Sequence, residues 1–217
     1  MSESIVRAPG IRRGRVTAEQ IVSTAARLFA SRGYYEVGMR EIADELGIRG
    51  ASLYHHYKSK EEVLYAICLR VTLEPAELQL PLLDATGTPT ARLAALVRAH
   101  VLQLVDRQVE HLVGRHEMSA LTEEHRAVID EHRRYYHRRV KDTIAAGKRT
   151  GEFVVQDVGF ATLALLDMLN GTSGWLHTEG PDTATHVADA YVDLAINGLL
   201  RGNLEAAGAA EAAEATS

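Results

Sequence analysis

The sequence predicts an all-α protein, and three observations lead to this prediction. Apolar residues recur at the three- and four-residue spacing of amphipathic helices along most of the chain. Proline occurs only 5 times, and the 17 glycines fall mostly between the periodic stretches or near the C-terminus. The chain has 217 residues, of which 46 % are hydrophobic, and this is enough to bury a sizeable core in one or two domains.

Composition excludes several classes of protein. Cys68 is the only cysteine, so a disulfide framework within the chain and a multi-cysteine zinc site are both excluded. The N-terminus has no apolar signal core, and no run of about 18 uncharged apolar residues occurs that would span a bilayer. We therefore expect a soluble, cytoplasmic protein with no membrane partner.

The charge of the chain is unevenly distributed. Its net charge is −5. Residues 1–60 hold 10 basic and 6 acidic residues, whereas residues 61–217 hold 14 basic and 23 acidic residues. The first part is therefore net positive and the second net negative. Because a charged partner binds the surface of one domain and not the whole chain, the two parts are expected to bind different partners.

The N-terminal elements begin with a basic arm. Residues 1–16 show no apolar period, and we expect this segment to be flexible. Thr17 and Gln20 then form a capping box that opens the first helix, which Gly33 ends. A short second helix is predicted at about 39–46, ended by Gly47, and a third at about 49–55.

The C-terminal elements are longer. Ser59 and Glu62 make a second capping box, opening a helix that we expect to weaken before Pro75. Further helices are predicted at 89–106, 108–119, 122–147, 157–177 and 183–201, with an interruption near Gly171. The predicted organisation is an arm at 1–16, a first domain at 17–62, a second at 63–202 and a disordered tail at 203–217.

Two short helices joined by a tight turn at Gly47 meet the physical requirement of a helix-turn-helix, whose second helix enters the DNA major groove. Leu53 and Tyr57 would anchor the second helix inward. A generic helical hairpin satisfies the same spacing. The outer side of the third helix would then present Arg49, Gly50, Ala51, Tyr54 and His55.

The run MREIADELGIRGASLYHHYKSKEE at 39–62, preceded by ARLFASRG at 26–33, resembles the signature of the TetR family of regulators. This resemblance covers residues 17–65 and implies DNA binding. It implies phosphate contacts for Tyr54, His56 and Lys60. Base-edge contacts are expected from Arg49, with Gly50, Ala51 and His55 beside it, although Arg49 as a phosphate ligand and His55 as a solvated residue remain alternatives.

The chain departs from the family pattern at three positions. Gly38 stands where a hydroxyl residue often caps the second helix, Arg49 where Ser or Thr is frequent, and Gly50 where Lys or Arg is frequent. The set of phosphate contacts is therefore expected to differ from the family norm. The arm residues Arg12, Arg13 and Arg15 would compensate by reaching phosphates or the minor groove, unless the arm is only solubilising.

For the C-terminal part the resemblance implies a ligand-binding and dimerisation domain. Two such chains would pair around a two-fold axis and read a palindromic operator. The alternative is that the apolar faces of the last two helices belong to an intramolecular core. The candidate dimer residues on these faces are Leu163, Leu166, Val187, Tyr191, Leu194 and Leu199.

The ligand pocket is expected among the helices at 89–119, 122–147 and 157–177. The pattern Gly147…Gly151-Glu-Phe153 with Asn170…Trp175 is similar to regulators that sense acyl-coenzyme A thioesters, so such a thioester is the expected effector. The candidate pocket residues are Met118, Phe160, Met168 and Trp175 for an apolar wall, and Arg98, Arg107, Arg115, Arg133 and Arg134 for an anionic group.

Parts of the sequence also bear on two other functional classes, metal sensors and enzymes. Six histidines crowd residues 100–137, but no two of them stand at i, i+4, so scattered structural histidines are favoured over a metal sensor. No phosphate-cradling glycine loop, nucleophile elbow or cysteine–histidine signature occurs, so we expect no enzyme and no cofactor. An architectural DNA-binding protein without an effector is the remaining alternative.

Overall fold

The computed structural model describes residues 16–176 and 181–200, and all regular structure in these ranges is helical. The predicted tail and nearly all of the predicted arm lie outside the described residues. Three short 3₁₀ segments lie at Leu80–Asp84, Met118–Ala120 and Thr172–Gly174, and a π-helical turn lies at Leu194–Leu199. The α-helices are α1 (Ala18–Arg32), α2 (Met39–Glu45), α3 (Gly50–His56), α4 (Lys60–Gln79), α5 (Pro89–Asp106), α6 (Gln108–His116), α7 (Glu123–Thr150), α8 (Val158–Gly171) and α9 (Pro181–Asp193).

The predicted capping boxes mark real helix starts. The side chain of Thr17 accepts a hydrogen bond from the backbone N–H of Gln20, and the side chain of Gln20 accepts one from the N–H of Thr17. At the start of α4, Ser59 accepts from the N–H of Glu62, but the carboxylate of Glu62 accepts from the N–H of Lys58, so only half of the second predicted box forms. Each cap satisfies backbone donors that have no partner inside the helix, which explains why these starts were readable from sequence.

The prediction that α4 weakens before Pro75 was wrong. The helix continues to Gln79 with Pro75 buried inside it. A proline in a helix interior costs about 3 kcal/mol, because it removes one hydrogen bond and crowds the preceding turn. Apolar packing on both sides of the proline offsets this cost: Val71 and Leu80 are both buried.

A first apolar core joins the N-terminal helices to the rest of the chain. It contains Phe29, Ile42 and Leu53 from α1–α3, and it continues across residue 62 into Leu64 and Ile67 of α4. It also includes Val113 of α6 and Ile129 of α7. The N-terminal helices therefore rest on three helices of the C-terminal part.

A second core lies among α5, α7, α8 and α9, with Leu96, Ile144 and Leu165 fully buried. Phe153 folds back onto the end of α7, where its ring occupies the space that a Cβ at residue 147 would need. In these same ranges, none of the helices is long and apolar enough to cross a membrane.

Candidate functional site

The turn between α2 and α3 has the geometry of a helix-turn-helix. Gly47 has φ 64°, a left-handed conformation that favours glycine, and its N–H donates to the carbonyl of Asp44. The N–H of Ile48 donates to the carbonyl of Ala43. Leu53 is fully buried and Tyr57 half-buried, as the sequence predicted for the inward face of α3.

The opposite face of α3 is open to solvent. Arg49 is the N-cap residue of α3, and it is exposed together with Ala51 and the two histidines, His55 and His56. Tyr54 is 54 % exposed. Gly50 is half-buried, and the space where a Cβ would stand is empty, so α3 can approach a surface closely there.

Ser52 is a further exposed residue of this face that the sequence analysis did not single out. Its hydroxyl can donate to or accept from a base edge or a phosphate. The signal was present in the sequence: Ser52 stands three residues after Arg49 and four before His56, which places the three side chains on one side of a helix.

Lys60 lies at the start of α4, but its ammonium group contacts the protein itself. Nζ donates to the carbonyl oxygen of Tyr34 at 2.8 Å and lies 4.3 Å from the centre of the Tyr34 ring. In this conformation Lys60 holds the α1–α2 turn rather than pointing to solvent. The expected phosphate contact therefore requires the side chain to exchange partners, or Lys60 acts by fixing the turn.

The start of α2 has no side-chain cap from Gly38, and its one side-chain contact at this position comes from Glu41. The carboxylate of Glu41 accepts a hydrogen bond from the N–H of Gly38 at 2.7 Å and forms an ion pair with Arg32 at 2.6 Å. The backbone hydrogen bond from Gly38, followed by the bond from Arg32, lowers the pKa of Glu41. The arm residues Arg12, Arg13 and Arg15 lie outside the described residues.

A cavity of about 740 Å³ lies among α4, α5, α6, α7 and α8. Val71, Pro75, Leu163 and Leu166 supply apolar wall, so two of the predicted dimer residues also line this cavity. Its exposed edge is basic, since the exposed arginines there outnumber the acidic residues Asp130 and Asp167. These arginines are Arg115, Arg133, Arg134 and Arg138.

The structure brings only some of the predicted pocket residues together. Arg115, Arg133 and Arg134 line the cavity, and the others do not. Arg98 forms an ion pair with Asp189 on α9, and Arg107 forms one with Glu74 at 3.2 Å.

The apolar candidates for the pocket lie elsewhere because helix periodicity does not distinguish a core face from a cavity wall. Met118 packs on the first core and Met168 on the second. Phe160 is 73 % exposed, and Trp175 is exposed and stacks on Tyr191 with 6.4 Å between ring centres.

Histidines missed as pocket residues form part of the cavity wall. His100, His111 and His137 all line it, and the Nε2 atom of each is buried without a hydrogen bond within the described residues. Burial lowers the pKa of His100 to about 4 and is the main reason that the pKa of His111 falls to about 3, so both rings are neutral at pH 7. Across the described ranges, no three His, Cys, Asp or Glu side chains are placed to hold a metal ion.

The last two helices carry the remaining predicted interface residues. Leu163 is 53 % exposed on α8, and Leu194 is 52 % exposed at the π-helical turn after α9. Leu166, Val187, Tyr191 and Leu199 are partly buried against the second core. One side of these apolar faces therefore packs on the second core, and the other side leaves a strip of apolar side chains exposed to solvent.

Comparison with known proteins identifies both halves of the chain. Residues 21–67 match the family described as "Bacterial regulatory proteins, tetR family", and residues 86–199 match "Tetracyclin repressor-like, C-terminal domain". The HTH-type transcriptional repressor KstR2 of Rhodococcus jostii is 30 % identical over 191 residues, which cover 83 % of this chain and 89 % of KstR2.

Solved structures show the same fold. The ketosteroid transcriptional regulator KstR2 of Mycobacterium tuberculosis superposes with a TM-score of 0.77 at 25 % identity, covering 88 % of this chain and 98 % of that one. AibR, solved in complex with isovaleryl coenzyme A and operator DNA, gives a TM-score of 0.73 at 30 % identity, with coverages of 82 % and 97 %. This chain therefore belongs to the TetR family, whose members are transcriptional regulators and not enzymes.

Proposed function

We propose that this regulator is a cytoplasmic repressor that binds a palindromic operator as a homodimer and leaves it when an acyl-coenzyme A thioester enters the cavity. TetR regulators bind operator DNA and small-molecule effectors. The observation that carries the proposal for the effector is the cavity itself, which combines an apolar wall with an edge of four exposed arginines.

The open face of α3 supports the DNA-binding mode. A recognition helix contacts base edges with residues near its N-terminus, and here that position holds Arg49, whose guanidinium suits a bidentate contact to guanine. Ala51, Ser52 and His55 follow it on the exposed side. Tyr54 and His56 lie at the edge of the same face, where phosphates run beside the groove.

The cavity suits the two chemically different ends of a thioester. Coenzyme A carries phosphate groups, for which arginine is the preferred planar partner, and Arg115, Arg133, Arg134 and Arg138 line the edge of the cavity. Its acyl group is apolar and matches the wall. AibR, which shares the fold, binds isovaleryl coenzyme A.

Dimerisation through the last two helices supports the palindromic operator. A two-fold interface pairs the same patch on both copies, and the exposed strip with Phe160, Leu163 and Leu194 offers such a patch. Two copies of α3 about 34 Å apart would then enter successive major grooves on one side of the duplex.

The helices that line the cavity also touch the DNA-binding part. Glu110 of α6 is buried and accepts a hydrogen bond from the hydroxyl of Ser23 on α1 at 3.1 Å, and the next residue, His111, lines the cavity. α4 runs from Lys60 beside the α1–α2 turn to Pro75 in the cavity wall. A ligand that shifts α4 or α6 would thereby change the spacing of the two recognition helices.

A selection experiment tests the whole proposal. Purified full-length protein would enrich binding sites from random duplexes, and acyl-coenzyme A thioesters, free coenzyme A and the free acids would then be added to the enriched duplex. We expect a palindrome that is released by thioesters and not by the acids. Sites without two-fold symmetry would contradict the dimer, and indifference to every thioester would contradict the effector class.

A pair of arginine variants on α7 tests whether the effector binds at the edge of the cavity. Arg133→Ala should raise the thioester concentration needed for half-release about tenfold, because a charge-assisted hydrogen bond to phosphate is lost. Arg149→Ala removes an exposed arginine of the same helix that does not line the cavity, and it should leave release unchanged. Equal effects from the two variants would argue against phosphate binding at the cavity edge.

A further inference from the structure

A single carboxylate joins the DNA-binding part to the start of α7. Glu61 lies in the first turn of α4, and its Oε1 accepts a hydrogen bond from the backbone N–H of Thr122, the N-cap residue of α7, at 2.9 Å. Nδ1 of His125 lies 2.9 Å from Oε1 and 3.0 Å from Oε2 of the same carboxylate. An ionised carboxylate only accepts, so Nδ1 carries a proton and donates to it.

Tyr65 fixes the ring of His125 from a second side. It stands four residues after Glu61, so the two side chains lie on one face of α4. The rings of Tyr65 and His125 stack with 3.8 Å between their centres and 5° between their planes. The imidazole is therefore held at its edge by Glu61 and at its face by Tyr65. Together, Glu61, Tyr65, Thr122 and His125 form an α4–α7 clamp.

The surroundings of Glu61 favour its ionised form. Burial alone would raise the pKa of Glu61, but the hydrogen bonds from Thr122 and His125 outweigh burial and lower the pKa. The carboxylate also lies at the positive end of the α7 helix dipole, where a negative charge is stabilised. The bonds of the clamp are therefore charge-assisted at pH 7, and such bonds are stronger than those between neutral groups.

α7 connects the clamp to the edge of the cavity. The helix is continuous from Glu123 to Thr150, and Ile129, one turn after His125, is fully buried in the first core. Arg133 follows about 12 Å further along the axis than His125. Because the helix is unbroken, a ligand that displaces its arginines would displace the start of α7 with them. The arginines of the cavity edge that lie on α7 are Arg133, Arg134 and Arg138.

On its other side, the first turn of α4 holds the DNA-binding part. Lys60 directly precedes Glu61, and its Nζ donates to the carbonyl oxygen of Tyr34 in the α1–α2 turn at 2.8 Å. Leu64, also near the start of α4, shares the first core with Leu53 of α3. A displacement of α4 at this point would therefore carry the α1–α2 turn and α3 with it.

We propose that the α4–α7 clamp couples the cavity to the operator. Glu61 and His125 are positioning residues: they make a shift of α7 on effector binding displace α4, and with it the recognition helices. The inference rests on the proposed release by an effector and assigns its transmission to one pair of side chains. Neither residue lines the cavity or belongs to the exposed face of α3, so both binding sites remain when the clamp is cut.

The coupling itself can be measured separately from either binding event. The factor by which operator DNA weakens thioester binding equals the factor by which the thioester weakens operator binding. Calorimetry on the full-length protein, with and without operator duplex, gives this factor for the most potent of a panel of straight-chain, branched and cyclic acyl-coenzyme A thioesters. We expect a factor of about 5–150 for the unmodified protein.

Two variants cut the clamp from opposite sides. Glu61→Ala removes the carboxylate, and His125→Phe keeps a ring against Tyr65 but has no hydrogen-bond donor. In each, the coupling factor should fall below about threefold, while the affinities for operator alone and for thioester alone change by less than about threefold. The double variant should couple no worse than either single variant, because the two side chains act as one unit.

Two further variants separate the clamp from other contacts. Asp84→Asn breaks the ion pair of Asp84 with Arg139, which holds α7 without reaching the DNA-binding part, and it should keep the full coupling factor. Ser23→Ala cuts the hydrogen bond between α1 and Glu110 of α6. The inference is overturned if the clamp variants keep full coupling, if Asp84→Asn loses it as well, or if Ser23→Ala alone abolishes it.

A measurement on the unmodified protein does not depend on how the variants fold. The clamp transmits a displacement only while it stays closed, and the amide of Thr122 is protected from hydrogen exchange while its bond to Glu61 persists. Site-resolved hydrogen exchange should show this protection in the free, operator-bound and thioester-bound protein. Loss of protection with thioester bound would overturn the inference alone. Binding of no thioester at all would instead contradict the proposed function, and this inference with it.

Discussion

At the scale of single residues, Arg49 and Lys60 should contribute to DNA binding in different ways. Arg49 is exposed at the N-cap of α3, so Arg49→Ala should cost about 1–3 kcal/mol on the operator and relax the preference at one base position. Lys60 holds the carbonyl of Tyr34, so Lys60→Ala should weaken binding to every sequence alike. Anisotropy titrations on operator and random duplexes measure both changes.

Arg149→Ala is the control for loss of one positive charge far from α3, and it should leave both affinities unchanged. The distinction between the two residues would be refuted if Arg49→Ala lowered affinity for operator and random DNA by the same factor. It would also be refuted if Lys60→Ala altered the preference at one base pair.

At the residue scale, the sequence predicted the buried and exposed sides of α3 better than it predicted the lining of the cavity. Leu53 and Ala51 could be assigned to opposite faces because they stand two residues apart on one short helix, where spacing determines direction. The buried surroundings of His100 are formed by Gln79, Tyr136 and Asn170, which come from three other parts of the chain. The spacing of residues along one helix does not indicate which other helices will pack around that helix.

At the scale of elements, the end of α7 depends on a glycine that local rules do not demand. Gly147 lies inside α7, and a Cβ there would stand 2.1 Å from Cδ2 of Phe153. Gly147→Ala should therefore destabilise the protein by about 1–3 kcal/mol, although alanine is the better helix former. Chemical denaturation followed by circular dichroism measures the loss.

Gly171→Ala makes the same substitution at a helical glycine with open space around it. It should be neutral or slightly stabilising, since alanine favours the helix. A loss of stability as large as that of Gly147→Ala would show that the Phe153 contact is not the cause.

The two ends of α4 show which helix boundaries can be predicted from sequence patterns and which cannot. The start of α4 was predicted because Ser59 and Glu62 interact locally, within one turn. Its continuation past Pro75 depends on burial between two cores, which no local pattern contains. Tertiary packing overrode the local preference of proline against a helix interior.

At the scale of the whole molecule, His100 and His111 couple stability to pH. In the unfolded chain a histidine takes up a proton below about pH 6.5, whereas in the fold the pKa falls to about 4 for His100 and about 3 for His111. The unfolded state therefore binds more protons below pH 6.5. The stabilisation is fully present above that pH and is lost as the pH falls toward 4, at up to about 1.4 kcal/mol per pH unit for each histidine.

Urea denaturation at pH 7, 6 and 5 measures this slope. His111→Leu should flatten it, because the variant no longer takes up that proton on unfolding. His116→Gln replaces an exposed histidine of the same helix and should keep the full slope. An unchanged slope in His111→Leu would mean that His111 is not held neutral in the fold.

In the proposed homodimer, the two copies would meet through the exposed apolar strip on α8 and the turn after α9. A monomer in water gains nothing from exposing Phe160 at 73 % and Leu194 at 52 %, and a two-fold interface would bury both at once. Leu194→Glu should place two like charges across that interface and yield a monomer in sedimentation experiments, with unchanged helicity and greatly weakened operator binding.

Leu78→Glu is the matched control, because Leu78 is 68 % exposed on α4, away from the strip. A dimer that survives Leu194→Glu, or one that Leu78→Glu disrupts instead, would place the interface elsewhere on the protein.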